Sequence, residues 1–95
     1  MPSLTVSSLS TSSSHWTKGL GLYTLQSPDD DGNPVWKLGD KEWSIYYYDE
    51  RWRIGEYSDG GYLRSEKTGT LVIPETSWEY YMTGWWSGDD ITVIG

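Results

Sequence analysis

Seven Trp and eight Tyr stand in a chain of 95 residues that contains no Phe and no Ala. The absence of Ala removes the strongest helix former, while Trp and Tyr favour the pleated, half-buried surface of a strand. Every ring here also carries a polar tip, an indole N–H or a phenol O–H. Such rings can fill a core, and they can equally stack on a ligand. How they divide between those two roles is the main question this chain poses.

A length of 95 residues points to one domain with a limited core. Leu, Ile and Val together number seventeen, which makes a thin core, so several rings have to be buried as well. Each can remove roughly 150–250 Å² from water. The formal charge is −7, from 14 acidic and 7 basic side chains. Such a chain repels phosphate backbones and anionic membrane surfaces, so neither nucleic acid nor membrane is an expected partner. Without Cys there is no disulfide, thiolate metal site or Cys nucleophile. No apolar run reaches transmembrane length and no signal peptide is visible. A place outside the cell as part of a larger protein is favoured over a cytoplasmic one. The single Asn, Asn33, precedes Pro34 and forms no glycosylation sequon.

Residues 1–14 hold seven Ser and two Thr and read as a flexible or edge segment, apart from the strand character of Leu4-Thr5-Val6. Residues 15–95 form the β domain proper. Strands are expected near 20–26, 34–38, 42–48, 51–57, 61–66, 70–73, 78–82 and 91–94, with helix tolerated only as a turn around 75–79. Turn signals separate them, such as Asp31-Gly32-Asn33-Pro34, Leu38-Gly39-Asp40, Asp59-Gly60-Gly61 and Ser87-Gly88-Asp89. The short connections predict antiparallel neighbours.

The clearest hairpin spans 42–57. With Asp49-Glu50 at its tip, Tyr47 faces Trp52, Ile45 faces Ile54 and Trp43 faces Glu56. These place Trp43, Ile45, Tyr47, Trp52 and Ile54 on one core-like face. Tyr46, Tyr48, Arg51 and Arg53 share the other, where cross-strand cation–π contacts are expected. Asp-Glu is not a favoured type I′ pair, which leaves room for a longer loop, and a one-residue slip would swap part of the assignment. Leu4-Thr5-Val6-Ser7 is echoed by Ile91-Thr92-Val93-Ile94. Either the two ends lie side by side in one sheet, or the domain is one unit of an array whose terminal strands pair between copies.

Chemistry-bearing motifs are sparse. Asp29-Asp30-Asp31-Gly32-Asn33 crowds oxygen ligands beside a Gly turn, which makes Asp29, Asp31 and Asn33 a calcium candidate. The spacing is not that of an EF-hand, and a solvated hairpin tip accounts for the same residues. His15 stands without a second His or a Cys, and a Ser-rich leader is a poor scaffold for a nucleophile, so a metal or catalytic role there is disfavoured. With 14 acids, some pair will lie at glycosidase spacing by chance, and a domain this small rarely builds the cleft that such chemistry needs. Trp85-Trp86 is the sharpest aromatic signal. Adjacent strand residues point to opposite faces, so one of the two rings should leave the core, although the pair sits in a loop-like context between Gly84 and Ser87-Gly88. Tyr46-Tyr47-Tyr48 and Tyr80-Tyr81 repeat the point more weakly.

The order Gly21-Leu22-Tyr23, Gly32-Asn33-Pro34-Val35-Trp36, Ile45-Tyr46-Tyr47-Tyr48, Trp52-Arg53-Ile54-Gly55, Ser65, Pro74, Trp78, Trp86 and Ile91-Thr92-Val93 covers about residues 4–94. It resembles a small Trp/Tyr-rich β module that recurs in multidomain proteins of marine invertebrates and protists. That module runs G-x-Y, N-G-x-P-V-Y/W, Y-x-Y-Y, W-x-I-G, P, W, W, L-x-V. Here Asp-Gly-Asn-Pro replaces the Asn-Gly-x-Pro turn. No settled activity or ligand attaches to the module, so the resemblance implies a portable, often repeated, non-catalytic unit and assigns no functional residues.

The expectation is an all-β fold, an antiparallel meander of about seven or eight strands curled into a barrel-like or two-layer sheet. The expected function is non-enzymatic recognition without a cofactor. Glycan binding comes first, through Trp85, Trp86, Tyr46, Tyr48 and Tyr81, with acidic side chains accepting sugar hydroxyls. Protein–protein contact or self-assembly through terminal strands is the alternative, and a small glycoside hydrolase the minor one.

Overall fold

In a computed structural model, residues 3–8, 15–28, 32–39, 42–56, 61–69, 72–82, 84–88 and 90–95 are described. They form β1 (Ser3–Ser7), a 3₁₀ turn (His15–Gly19), β2 (Gly21–Leu25), β3 (Trp36–Lys37), β4 (Trp43–Tyr48), β5 (Arg51–Glu56), β6 (Leu63–Arg64), β7 (Trp78–Tyr81), β8 (Trp85–Gly88) and β9 (Thr92–Ile94). All pairings are antiparallel, in one sheet of nine strands with the order β8-β7-β6-β5-β4-β3-β2-β1-β9. The all-β meander is as expected, with one or two more strands.

The sheet curls into a half-barrel. Laid flat, eight steps of about 4.8 Å would separate β8 from β9 by roughly 38 Å. The molecule measures 33 × 28 × 23 Å, and only residues 89–91 join the two strands, a reach of at most about 14 Å between Gly88 and Thr92. The two ends of the sheet therefore come close together. The concave side holds the core: Leu4, Val6, Tyr23, Trp36, Trp43, Ile45, Trp52, Ile54, Leu63, Trp78, Ile91 and Val93. Trp16, brought in by the 3₁₀ turn, completes it and stacks on Tyr80 at 5.1 Å. Gly19 lies flat on Trp43, where an added Cβ would come within 2.6 Å of the ring.

The β4–β5 register is the expected one, Tyr47 opposite Trp52, Ile45 opposite Ile54, Trp43 opposite Glu56. Its tip is a two-residue turn: Asp49 (φ 53°) and Glu50 (φ 62°) are both left-handed, so the longer loop is not used. The echo between the ends has a local meaning. Thr5 pairs with Ile94, Val6 with Val93 and Ser7 with Thr92, which places the two segments side by side.

Four expectations are corrected. Residues 3–7 are not at an edge, since β1 pairs with β2 and β9. Val72 and Ile73 are not in a strand; the segment instead lies along the β9 flank, where Val93 N donates to Glu75 O at 2.9 Å. Residues 75–79 hold no helix, and among the described residues the one short helix is the 3₁₀ turn at His15–Gly19. Finally, residues 85–88 are a strand and not a loop; pairing with β7 holds them extended despite their small and Gly residues.

Candidate functional site

Strand alternation and register decide which side chains share the convex face. Across β4 to β8, Tyr46 lies opposite Arg53, Arg53 opposite Arg64, Arg64 opposite Glu79, and Glu79 opposite Ser87. Toward the hairpin tip Tyr48 lies opposite Arg51, and on the other side of that row Tyr81 lies opposite Trp85. A strip of rings and guanidinium groups thus runs over the outside of the half-barrel. Four of the rings singled out from sequence, Tyr46, Tyr48, Tyr81 and Trp85, belong to it. They come from strands on both sides of β5 and β6, so no short sequence window could have shown them together.

The strip is tied by specific contacts. The Arg64 guanidinium lies 4.0 Å from the centroid of the Trp85 ring, and that of Arg53 lies 5.6 Å from the Tyr48 ring. Tyr81 meets Trp85 edge-on at 5.4 Å. Glu79 Oε1 accepts from Arg64 Nε at 2.7 Å and from Arg51 Nη1 at 3.5 Å. Arg51 Nη1 also donates to Ser65 O at 2.9 Å, and Arg53 Nε to Tyr48 O at 3.1 Å. Sequence reading anticipated cation–π contacts on this face from the directly opposed pairs Tyr46–Arg53 and Tyr48–Arg51, whereas the contact formed is the diagonal one of Arg53 with Tyr48. It missed Arg64 and Glu79, whose part depends on long-range register.

The five candidate rings differ in access. Tyr48 is 65% exposed, Trp86 57% and Tyr81 44%, and Trp85 is half-buried against Arg64. Tyr46 is a correction, because although it faces outward it is only 3% exposed and cannot offer a stacking surface. The Arg53 side chain opposite it is itself only 11% exposed, and a long cationic side chain laid along a sheet covers the ring beside it. Trp86 is not on the convex strip. It pairs with Tyr80 on the concave side, and at the end of the sheet its ring stays exposed while Nε1 donates to Met82 O at 3.0 Å.

Glu79 is committed to two arginines, so the convex strip presents mainly donors. This differs from the expected set of acidic acceptors for sugar hydroxyls. Of the calcium candidates, Asp29 and Asp31 lie outside the described residues and Asn33 is half-buried. Among the described residues no group of acids and His is arranged to hold a metal ion. His15 opens the 3₁₀ turn, and its side chain lies outside the description. Two open grooves, of about 270 and 370 Å³, flank the 72–77 segment. Among the described lining residues each holds one acidic side chain, Glu75 in the first and Glu66 in the second. In the core, burial pushes the Tyr23 phenol well above its ordinary value while its O–H donates to Gly19 O at 2.7 Å.

No protein-family model, no curated protein and no solved structure matches this chain.

Proposed function

We propose that this chain is a non-enzymatic recognition module that binds carbohydrate on the convex face of β4–β8. The observation that carries the reading is the Tyr48–Arg53 and Arg64–Trp85–Tyr81 strip, in which rings from three strands stand together, two of them held by guanidinium groups. Stacked cations fix the rings and lower the entropy lost when a ligand settles on them. Flat aromatic faces beside hydrogen-bond donors suit a sugar, which has one apolar face and a rim of hydroxyl oxygens. The test is a glycan array followed by tryptophan fluorescence titration of the hits. Binding should be lost on Trp85→Ala and weakened on Tyr48→Ala, with Tyr46→Phe indifferent. An array without hits, or a hit unaffected by both ring substitutions, contradicts the reading.

A second reading, protein contact or self-assembly, rests on β8. It ends the sheet, and Trp86, Tyr81 and Met82 are exposed at or beside it. The terminal strands serve this reading less well, since β1 is paired on both sides and Glu75 engages the flank of β9. Sedimentation over a range of concentrations tests it. A concentration-dependent dimer abolished by Trp86→Ser would support β8, and a strict monomer would oppose it.

A further inference from the structure

The groove of about 270 Å³ opens at the end of the half-barrel where β1 and β3 begin and β9 ends. Its floor is continuous with the core, since Leu4, Trp36 and Val93 are buried members of the central cluster. Val72 and Ile73 form the facing wall, and Val72 is 73% exposed. Leu25, directly opposite Trp36, is exposed as well. An apolar floor with an exposed apolar rim, at the mouth of a barrel, is where small ligands settle. The walls are in place before any ligand arrives. Val93 N donates to Glu75 O and Trp78 Nε1 to Pro74 O, each at 2.9 Å, and Trp36 meets the buried Trp52 edge-on at 5.9 Å. A groove already ordered loses little entropy when it is filled. Among the described lining residues Glu75 is the one charged side chain. Its backbone carbonyl serves the wall, and among the described residues its exposed carboxylate has no partner. The neighbouring groove differs, because Lys67 stands with Glu66 in its lining and their charges cancel.

We propose that this groove is a second binding site, separate from the convex face, and that it takes a small apolar amine. The apolar body lies against Leu4, Trp36, Val72 and Val93, and the ammonium meets the Glu75 carboxylate. At about 30 Å³ per water, the volume of about 270 Å³ corresponds to about nine waters, which sets the ligand at about nine non-hydrogen atoms. Charge selects the cation twice. Glu75 attracts it at the rim, and the formal charge of −7 on the whole chain repels an anion of the same shape. The apolar floor keeps water from one side of the ammonium–carboxylate pair, which strengthens it relative to open solvent. A neutral ligand of that shape gains the apolar contacts alone.

The experiment is a ¹⁵N-correlation titration of the full chain with three probes of nearly one shape: phenethylamine, phenethyl alcohol and phenylacetate, which are cationic, neutral and anionic at neutral pH. A ligand this small binds weakly, so each titration runs into the millimolar range. Phenethylamine should move the indole signal of Trp36 and the amides of Leu4, Ile73 and Val93 together to saturation, with Tyr48 and Trp85 unmoved. The alcohol should bind about threefold more weakly, the size of an exposed ion pair, and phenylacetate more weakly still. Glu75→Gln should bring the amine down to the affinity of the alcohol and leave the alcohol as it was. This variant keeps the backbone carbonyl that Val93 uses, so an unshifted Val93 amide in the free protein confirms that the wall is intact. Val72→Ser, at an exposed position, should weaken the amine and the alcohol alike. Equal binding of amine and alcohol, an amine affinity unmoved by Glu75→Gln or by Val72→Ser, tightest binding of phenylacetate, or no saturable movement at the groove would each overturn the proposal. The carbohydrate reading stands or falls separately, on the convex face.

Discussion

Among individual residues, the polar tips of the rings explain much of why Trp and Tyr serve where Phe would be the ordinary choice. Trp78 Nε1 donates to Pro74 O, Trp86 Nε1 to Met82 O, and the Tyr47 hydroxyl to Thr68 O. Each ring fills space on one side and ties down a connecting segment on the other. Among the described residues the buried indole N–H groups of Trp16 and Trp52 have no such partner, so those two act through volume. Ser65 is the fully buried polar residue. Its Oγ accepts from Trp52 N at 3.0 Å and donates to Glu66 O at 2.8 Å. Ser65→Ala leaves the Trp52 amide without that acceptor and should cost about 1–3 kcal/mol, read from urea unfolding. Tyr23 gives a pH prediction. Its phenol is raised in the folded state relative to about 10 in the unfolded chain, so above that pH the unfolded state loses its proton first and stability falls as pH rises. Melting temperature should therefore decline more steeply above about pH 10 in the parent chain than in Tyr23→Phe.

Among the strands, the hairpin β4–β5 was legible because its alternation is unbroken and its tip short. What sequence could not show is the pairing of β8. Trp85-Trp86-Ser87-Gly88 has loop composition, and it becomes a strand because β7 supplies partners along its length. Alternation then sends Trp85 to the convex face and Trp86 to the concave one, and neither enters the core. The burial of Tyr46 was hidden for a different reason, since alternation gives the direction of a ring and says nothing about the arginine lying beside it. The tip itself is a point of stored cost. Asp49 and Glu50 both hold left-handed backbone, which residues with a Cβ adopt at roughly 1 kcal/mol or more each. Replacing them by Asn-Gly should raise stability by about 1–2 kcal/mol, seen as a higher urea midpoint at unchanged slope. An unchanged midpoint would mean that the tip is not left-handed in solution.

For the molecule as a whole, closure depends on the two ends of the chain. β9 reaches β1, and Ile91 and Val93 stand in the core beside Leu4 and Val6. The repeated Leu-Thr-Val and Ile-Thr-Val were visible in sequence, but two outcomes fitted them, and only the register shows that they pair within one chain. Truncation after Gly88 should abolish cooperative unfolding, because it removes two buried side chains and leaves one side of β1 without its partner. The half-barrel also separates the two roles of the rings. The concave side takes Trp16, Trp36, Trp43, Trp52, Trp78 and Tyr23, and the convex side presents Tyr48, Tyr81 and Trp85 around three arginines.

That division can be tested in one ¹⁵N-correlation titration of the folded chain with a carbohydrate that binds in the glycan array. The indole signal of Trp85 and the amides of Tyr48, Arg53, Arg64 and Tyr81 should move together and saturate, while the indole signals of Trp16, Trp52 and Trp78 stay in place. Movement centred instead on Leu4, Trp36, Ile73 and Val93, which line the groove beside the 72–77 segment, or no movement at saturating ligand, would contradict the convex face as the recognition site.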